Sequence, residues 1–146
     1  RMNLTILGLL IFGLWTLFLA LIVVVWRATK VIGGQTPADG FPSGERHGSD
    51  AYWRVNRAHM NALENLPLFA TVALAGVVMD VADLSFGTLA LIVAAARIVQ
   101  SSVHLRSGSV KAVNLRFTAY VVQLICIGWM AVDVIIKAGL IPGSTT

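Results

Sequence analysis

LTILGLLIFGLWTLFLALIVVVW, residues 4–26, runs without a single charge. At a helical rise of about 1.5 Å per residue, such a run is long enough to cross a hydrocarbon layer of about 30 Å. A cleaved leader has a shorter apolar core and a small-residue cleavage site. This segment instead runs into Trp26, Arg27 and Lys30, the aromatic and basic anchors expected where a retained membrane helix meets water. The rest of the chain agrees: 57% of its 146 residues are apolar, 12% are charged, and the mean hydropathy is +0.80. A soluble domain carries about a quarter charged residues, so the composition points to lipid.

Three more segments follow. Leu66–Met79 is too short to span alone, but extended back through Tyr52–Asn65 it forms a long helix with polar first turns. Leu84–Val99 continues to His104, and Ala112–Ile136 ends on Lys137, Gly139 and Pro142, which are stop signals. The reading is an all-α, integral membrane four-helix bundle in a single domain, residues 1–146. Its helices fall at about 4–30, 50–79, 83–105 and 110–138, with a Gly/Pro-rich polar loop over 31–49. An acidic turn around Asp80 and Asp83 joins the second and third helices, and LRSGSV (105–110) joins the last two. Arg27, Lys30, Arg46, Arg54, Arg57, Arg106 and Lys111 fall on the side of loops one and three. The other side carries Arg1 and Lys137 with Asp80 and Asp83. The positive-inside rule therefore predicts cytoplasmic loops one and three, with both termini across the membrane.

The net charge of +4 is small and scattered, with no basic helix face, which excludes a nucleic-acid partner. One cysteine, Cys126, excludes a disulfide framework, a CxxC pair and a cysteine-based zinc site. In its apolar run it reads as an inert buried thiol. Asp133, near the far end of the last helix, reads as a cap or as facing a neighbouring subunit.

The polar residues are not scattered. In RAHMNALENLPLF (57–69), Arg57, Asn61 and Glu64 are spaced i, i+4, i+7 and share one helix face. The third helix carries Arg97, Gln100 or Ser101, and His104. The fourth carries Arg116, Tyr120 and Gln123, and Arg27 closes the first. All four helices thus bring hydrogen-bonding groups to one level of the membrane. A charge deep in a spanning helix costs at least about 2.5–3.5 kcal/mol, so such residues face a protein interior or a wet cavity. Three intramembrane arginines against one carboxylate, Glu64, leave surplus positive charge that an anionic ligand can neutralise. The competing structural reading pairs Arg97 with Glu64 as interhelical glue. A haem site on His59 and His104 requires the two imidazoles to face each other. A channel requires a polar path continuing to the opposite face, and no such path is visible in the sequence.

RAHMNALENLPLF, together with NLRFTAY (114–120), closely resembles the MAPEG family, the membrane-associated proteins in eicosanoid and glutathione metabolism. The weaker echo ARIVQSSVHL (96–105) falls on the third helix. The resemblance covers nearly the whole chain and implies a homotrimer with a glutathione site at each subunit interface. It implies that Arg57, Asn61 and Glu64 hold the glutathione peptide and that Arg27 meets one of its carboxylates. It further implies that Arg116 stabilises the thiolate, with Tyr120 one turn on. Arg97, Gln100 and His104 fall at the family's third-helix polar positions. No metal is implied, and the second substrate is a lipophilic electrophile arriving from membrane lipid.

The chain departs from the family where Gln100 stands for Tyr or His and where His104 stands for Tyr. Phe117 replaces a serine of the prostaglandin synthase, and Asn65 replaces a tyrosine of leukotriene C synthase. These changes favour generic thiol transfer over eicosanoid chemistry, and the activity expected is that of a glutathione transferase with possible peroxidase activity. The alternative is a membrane binding or assembly protein that keeps the fold without catalysis.

Overall fold

The computed structural model describes residues 3–42, 44–106 and 109–140, all of whose regular structure is helical. The elements are α1 (Leu4–Ile32), α2 (Asp50–Val78), α3 (Leu84–Arg106) and α4 (Val110–Lys137). Each is long and apolar enough to cross a membrane. Arg1, residues 107–108 of the third loop and the Pro142 stop signal lie outside the described residues.

Each helix starts on a side chain that accepts a first-turn N–H, which would otherwise lack a partner. Asn3 Oδ1 accepts from Ile6 N at 3.2 Å, Ser49 Oγ from Tyr52 N at 3.2 Å, Asp83 Oδ1 from Phe86 N at 2.9 Å, and Ser109 Oγ from Ala112 N at 3.3 Å. α1 runs two residues past its expected end. It stops where Gly34 takes a positive φ of 66° and Gln35 N returns to Lys30 O at 2.9 Å. Gly139, with φ 64°, ends α4 in the same way, Leu140 N returning to Ile135 O at 3.1 Å.

α3 packs against the other three helices, whereas the α1 and α4 backbones do not approach closely among the described residues. The bundle is therefore a rhombus with α2 and α3 across its short diagonal. Phe12, Phe69, Phe86, Val93 and Met130 fill its core, with Phe12 and Phe69 ring centroids 5.5 Å apart. The α1–α3 seam relies on small residues. A Cβ added to Gly8 would lie 2.7 Å from the Ala90 backbone carbonyl, and backbone cannot swing aside as a side chain can. Gly8→Ala is expected to destabilise by about 1–3 kcal/mol. Gly13→Ala, with nothing within 4 Å of its added carbon, serves as the control. Thermal midpoints of the two variants in detergent check this, the expectation being a drop for Gly8→Ala alone.

At the end of the bundle holding the α2–α3 turn, Lys137 Nζ sits 2.9 Å from both Asp83 Oδ2 and Asp133 Oδ2. Asp133 is thus an ion-pair partner within its own chain, and Lys137 ties the end of α4 to the α2–α3 turn. The Phe86 N–H, and then Lys137, hold the Asp83 carboxyl below the usual carboxylate range. A depressed folded-state value stabilises above the unfolded value and stops doing so as pH falls through the folded one. The stability advantage of wild type over Asp83→Ala is therefore expected to be full at neutral pH and to shrink below about pH 4, read as thermal midpoints across an acid series.

No more than 39% of the most apolar stretch of any span is buried within one chain, so most of each span faces lipid or another copy. Leu10, Leu14, Leu17 and Leu21 of α1 and Ile125, Trp129 and Val132 of α4 form the outward faces.

Candidate functional site

The α2 residues Ala58, Ala62, Asn65 and Phe69 turn toward the core. That leaves Arg57, Asn61 and Glu64, offset by one position, along the adjoining edge. The edge forms one wall of a cleft of about 330 Å³ between α2, α3 and α4. Arg97, Gln100, Ser101 and His104 of α3 form its back, and Val113, Arg116, Phe117 and Tyr120 of α4 form the opposite wall. Eight sequence-predicted site residues therefore meet in one opening: Arg57, Asn61, Glu64, Arg97, Gln100, His104, Arg116 and Tyr120. His104 and Arg116 lie nearest the α3–α4 connection. Arg97, seven residues before His104, lies about 10 Å deeper along the helix.

The deep end is unusual in its electrostatics. Arg97 is only 1% exposed, with its guanidinium carbon 5.3 Å from the Phe12 ring centroid. Its Nε and one terminal nitrogen are buried without a hydrogen-bond partner. The expected alternative, an Arg97–Glu64 ion pair, does not form. Among the described residues the ion pairs are Arg46–Asp50 and those of Lys137. Glu64 sits exposed on the outer edge of α2, while Arg97 turns inward onto Phe12. Gln123, fully buried, is behind the cleft rather than in it. Its Nε2 donates to Gln100 Oε1 at 2.9 Å and to Ala119 O at 3.0 Å. At the shallow end the Arg116 guanidinium meets His104 Nδ1. Three guanidinium groups and one carboxylate thus line the same small volume, a donor-rich, net-positive surface suited to a small polyanion.

Arg27 stands apart from this set. Its Nε donates to the Tyr52 hydroxyl at 2.7 Å and its NH2 to Asn56 Oδ1 at 3.5 Å, and it stacks 5.3 Å over the Phe41 ring. It lines a second cleft of about 490 Å³ between α1, α2 and loop one, with Asn56 and His59. Within one chain Arg27 is not among the residues lining the first cleft. Arg57 and Glu64 line both openings, so α2 is the partition between them. His59 and His104 consequently open to different clefts, and the geometry a haem needs is not formed.

Sequence reasoning missed Tyr52, Asn56, Phe41 and His47, which hold Arg27 and anchor loop one. His47 Nε2 lies 3.3 Å from the Tyr52 hydroxyl, and its Nδ1 lies 2.8 Å from Glu45 O. The available signal was the i, i+4 pair Tyr52 and Asn56 next to the α2 cap. Among the described residues no group of His, Cys, Asp or Glu is arranged to hold a metal ion.

The sequence model of the MAPEG family matches residues 5–136, a span that contains both clefts and all four helices except the first residue of α1 and the last of α4. No curated protein and no solved structure matches the chain.

Proposed function

The chain belongs to the MAPEG family, a family that includes glutathione transferases, and from that premise we propose a membrane-bound, glutathione-dependent transferase and peroxidase. It conjugates or reduces hydrophobic electrophiles through an arginine-stabilised glutathione thiolate. The observation that carries this reading is the cleft itself, where Arg57, Arg97 and Arg116 face a single carboxylate, Glu64, with no ion pair among them. Glutathione has two carboxylates, one ammonium, two amides and a thiol, and the wall groups complement that list. Glu64 takes the ammonium, Asn61 and Gln100 the amides, and the guanidinium groups the carboxylates and the sulfur.

Arg116, at the shallow end beside the lipid-facing Phe117, is the catalytic group. A free thiol ionises near pH 8.5 and only the thiolate attacks. A guanidinium beside the sulfur lowers that value by about two units, which corresponds to roughly 2.7 kcal/mol in favour of the thiolate. Tyr120 and His104 complete the wall, and the sulfur attacks an electrophile that arrives through the bilayer. No protein nucleophile and no metal enters the scheme.

The proposed assembly is a homotrimer. Arg27 lies on the far side of α2 from the cleft, where a neighbouring copy can receive it, and the exposed polar edge of α2 needs shelter from lipid. The cleft lies toward the end holding loops one and three; the basic residues there support a cytoplasmic side, from which a water-soluble peptide enters.

Titration with glutathione in detergent tests the reading. A ligand at 100 times its Kd stabilises by about 2.7 kcal/mol, so the thermal midpoint rises with added glutathione at millimolar concentration. An unmoved midpoint together with no heat of binding overturns the proposal. A second reading, a binding or assembly protein without catalysis, draws on Gln100, whose carbonyl is already engaged by Gln123, and on Phe117 at the cleft mouth. Glutathione-dependent turnover of an aryl halide or a lipid hydroperoxide separates the two.

A further inference from the structure

Gln123 is wholly buried behind the cleft, and both protons of its carboxamide are committed. Its Nε2 donates to Gln100 Oε1 at 2.9 Å and to Ala119 O at 3.0 Å. From these two contacts we infer that Gln123 is a positioning residue that fixes the carboxamide of Gln100. The α3 wall of the cleft then presents N–H donors at its middle and selects an acceptor oxygen of the ligand, which for glutathione is a peptide carbonyl. This rests on the glutathione reading above and deepens it.

A carboxamide has two N–H donors on its nitrogen and acceptor lone pairs on its oxygen, and the two ends are nearly alike in shape. Hydrogen-bond chemistry therefore decides which way each one faces. Ala119 O is a main-chain carbonyl and only accepts, so the end of Gln123 beside it is the nitrogen. The second proton of that nitrogen faces Gln100, and the group that meets it is again an acceptor, Oε1. Turning Gln123 over would set oxygen against oxygen at Ala119, and turning Gln100 over would set nitrogen against nitrogen. Gln100 lines the cleft. With its oxygen held by Gln123, its two N–H donors are left for a ligand.

The arrangement has a cost that identifies its use. Gln123 Oε1 is buried without a partner, and a buried acceptor without a donor destabilises the fold. An apolar side chain at 123 would fill the core without that penalty. What the carboxamide supplies instead is the direction of Gln100. That direction suits the rest of the cleft. Arg57, Arg97 and Arg116 also only donate, and Glu64 is the one carboxylate among the lining residues. Gln100 stands about 5 Å along the helix from each of Arg97 and His104. A peptide whose carboxylates meet guanidinium groups therefore passes its central carbonyls over Gln100, while Asn61 on the α2 wall is left to take a peptide N–H.

Methionine substitutions test this, because methionine adapts to the space a glutamine leaves and lacks its donors. The probe is glutathione, with Kd read by calorimetry in detergent. Gln100→Met is expected to weaken binding about tenfold, the scale of one hydrogen bond. Gln123→Met is expected to weaken it about fivefold, although residue 123 does not touch the ligand, because Gln100 is then free to turn. The thermal midpoint of ligand-free Gln123→Met is expected to be no lower than that of wild type. The double variant is expected to bind like Gln100→Met alone, since Gln123 acts only through Gln100.

A Gln123→Met variant that binds as wild type does, or losses that add in the double variant, overturns the inference and leaves the glutathione reading standing. No binding by wild type overturns that reading instead, and the orientation of the pair is then read without ligand. Gln35, Gln100 and Gln123 are the three glutamines of the chain, so nitrogen-15 labelling of glutamine gives three side-chain amide pairs that the variants assign. The expected signature is slow hydrogen exchange at both Gln123 amide protons, with a sharp Gln100 pair that broadens in Gln123→Met. Fast exchange at the Gln123 amide overturns the inference by itself.

Discussion

Arg116→Ala is expected to lower the rate of glutathione conjugation by about 100-fold while the protein still folds and assembles. The size follows from the pKa argument. About two units of thiol acidification correspond to roughly 2.7 kcal/mol, and a loss of that much stabilisation is close to two orders of magnitude in rate. Folding and assembly are expected to be spared because Arg116 is only half-buried and forms no ion pair among the described residues. Truncation removes no core packing and breaks no ion pair. The measurement is kcat with an aryl halide whose product absorbs, alongside the thiolate absorbance of the glutathione complex and the size of the detergent-solubilised protein. Unchanged rate and unchanged thiolate signal would remove Arg116 from the mechanism.

Arg97→Met is expected to raise the thermal midpoint of the ligand-free protein and, in the same variant, to abolish most of the stabilisation by glutathione. Removing a charge from the interior ordinarily destabilises because its partner is stranded. Among the described residues Arg97 has no ion-pair partner to strand; it is 1% exposed and carries two buried nitrogens without acceptors. The ligand-free protein therefore bears a desolvated cation whose insertion cost is at least about 2.5–3.5 kcal/mol. Part of that is offset by the Phe12 ring, at roughly 2 kcal/mol for a desolvated cation–π contact. Methionine fills similar space with no charge and adapts to an irregular gap, so the midpoint moves up by several degrees. Binding is expected to move the opposite way, since the proposed site sends a glutathione carboxylate to this deep guanidinium. Opposite shifts in stability and affinity are the signature of a residue kept for ligand rather than for fold. A variant that is both less stable and unaltered in glutathione affinity would make Arg97 structural.

Legibility differed by residue. The membrane helices were readable because lipid imposes a long apolar run with few charges; their capped starts at Asn3, Ser49, Asp83 and Ser109 came from the structure. The grouping of Arg57, Asn61, Glu64, Arg97, His104 and Arg116 was also readable, since helical periodicity puts each set on one face. Within one chain Arg27 lines the other opening, and the site the sequence implies for it lies at a subunit interface. Periodicity gives depth and face along a helix and says nothing about which neighbour that face meets. The Arg97–Glu64 alternative failed for a related reason: opposite charges at similar depth meet only if their side chains point toward each other, and Phe12 draws Arg97 inward.

By itself, then, the amino-acid order determined four spans, their polarity at one end and the surplus of cations over carboxylates there. Those features follow from local rules of hydropathy and helical period, which need no knowledge of partners. The tertiary arrangement alone decided that α2 separates two clefts, that within one chain Arg27 lines one and Arg116 the other, and that Arg97 and Glu64 do not pair. These depend on which helices pack side by side, and the close α1–α3 approach at Gly8 and Ala90 is set by complementary surfaces far apart in the chain.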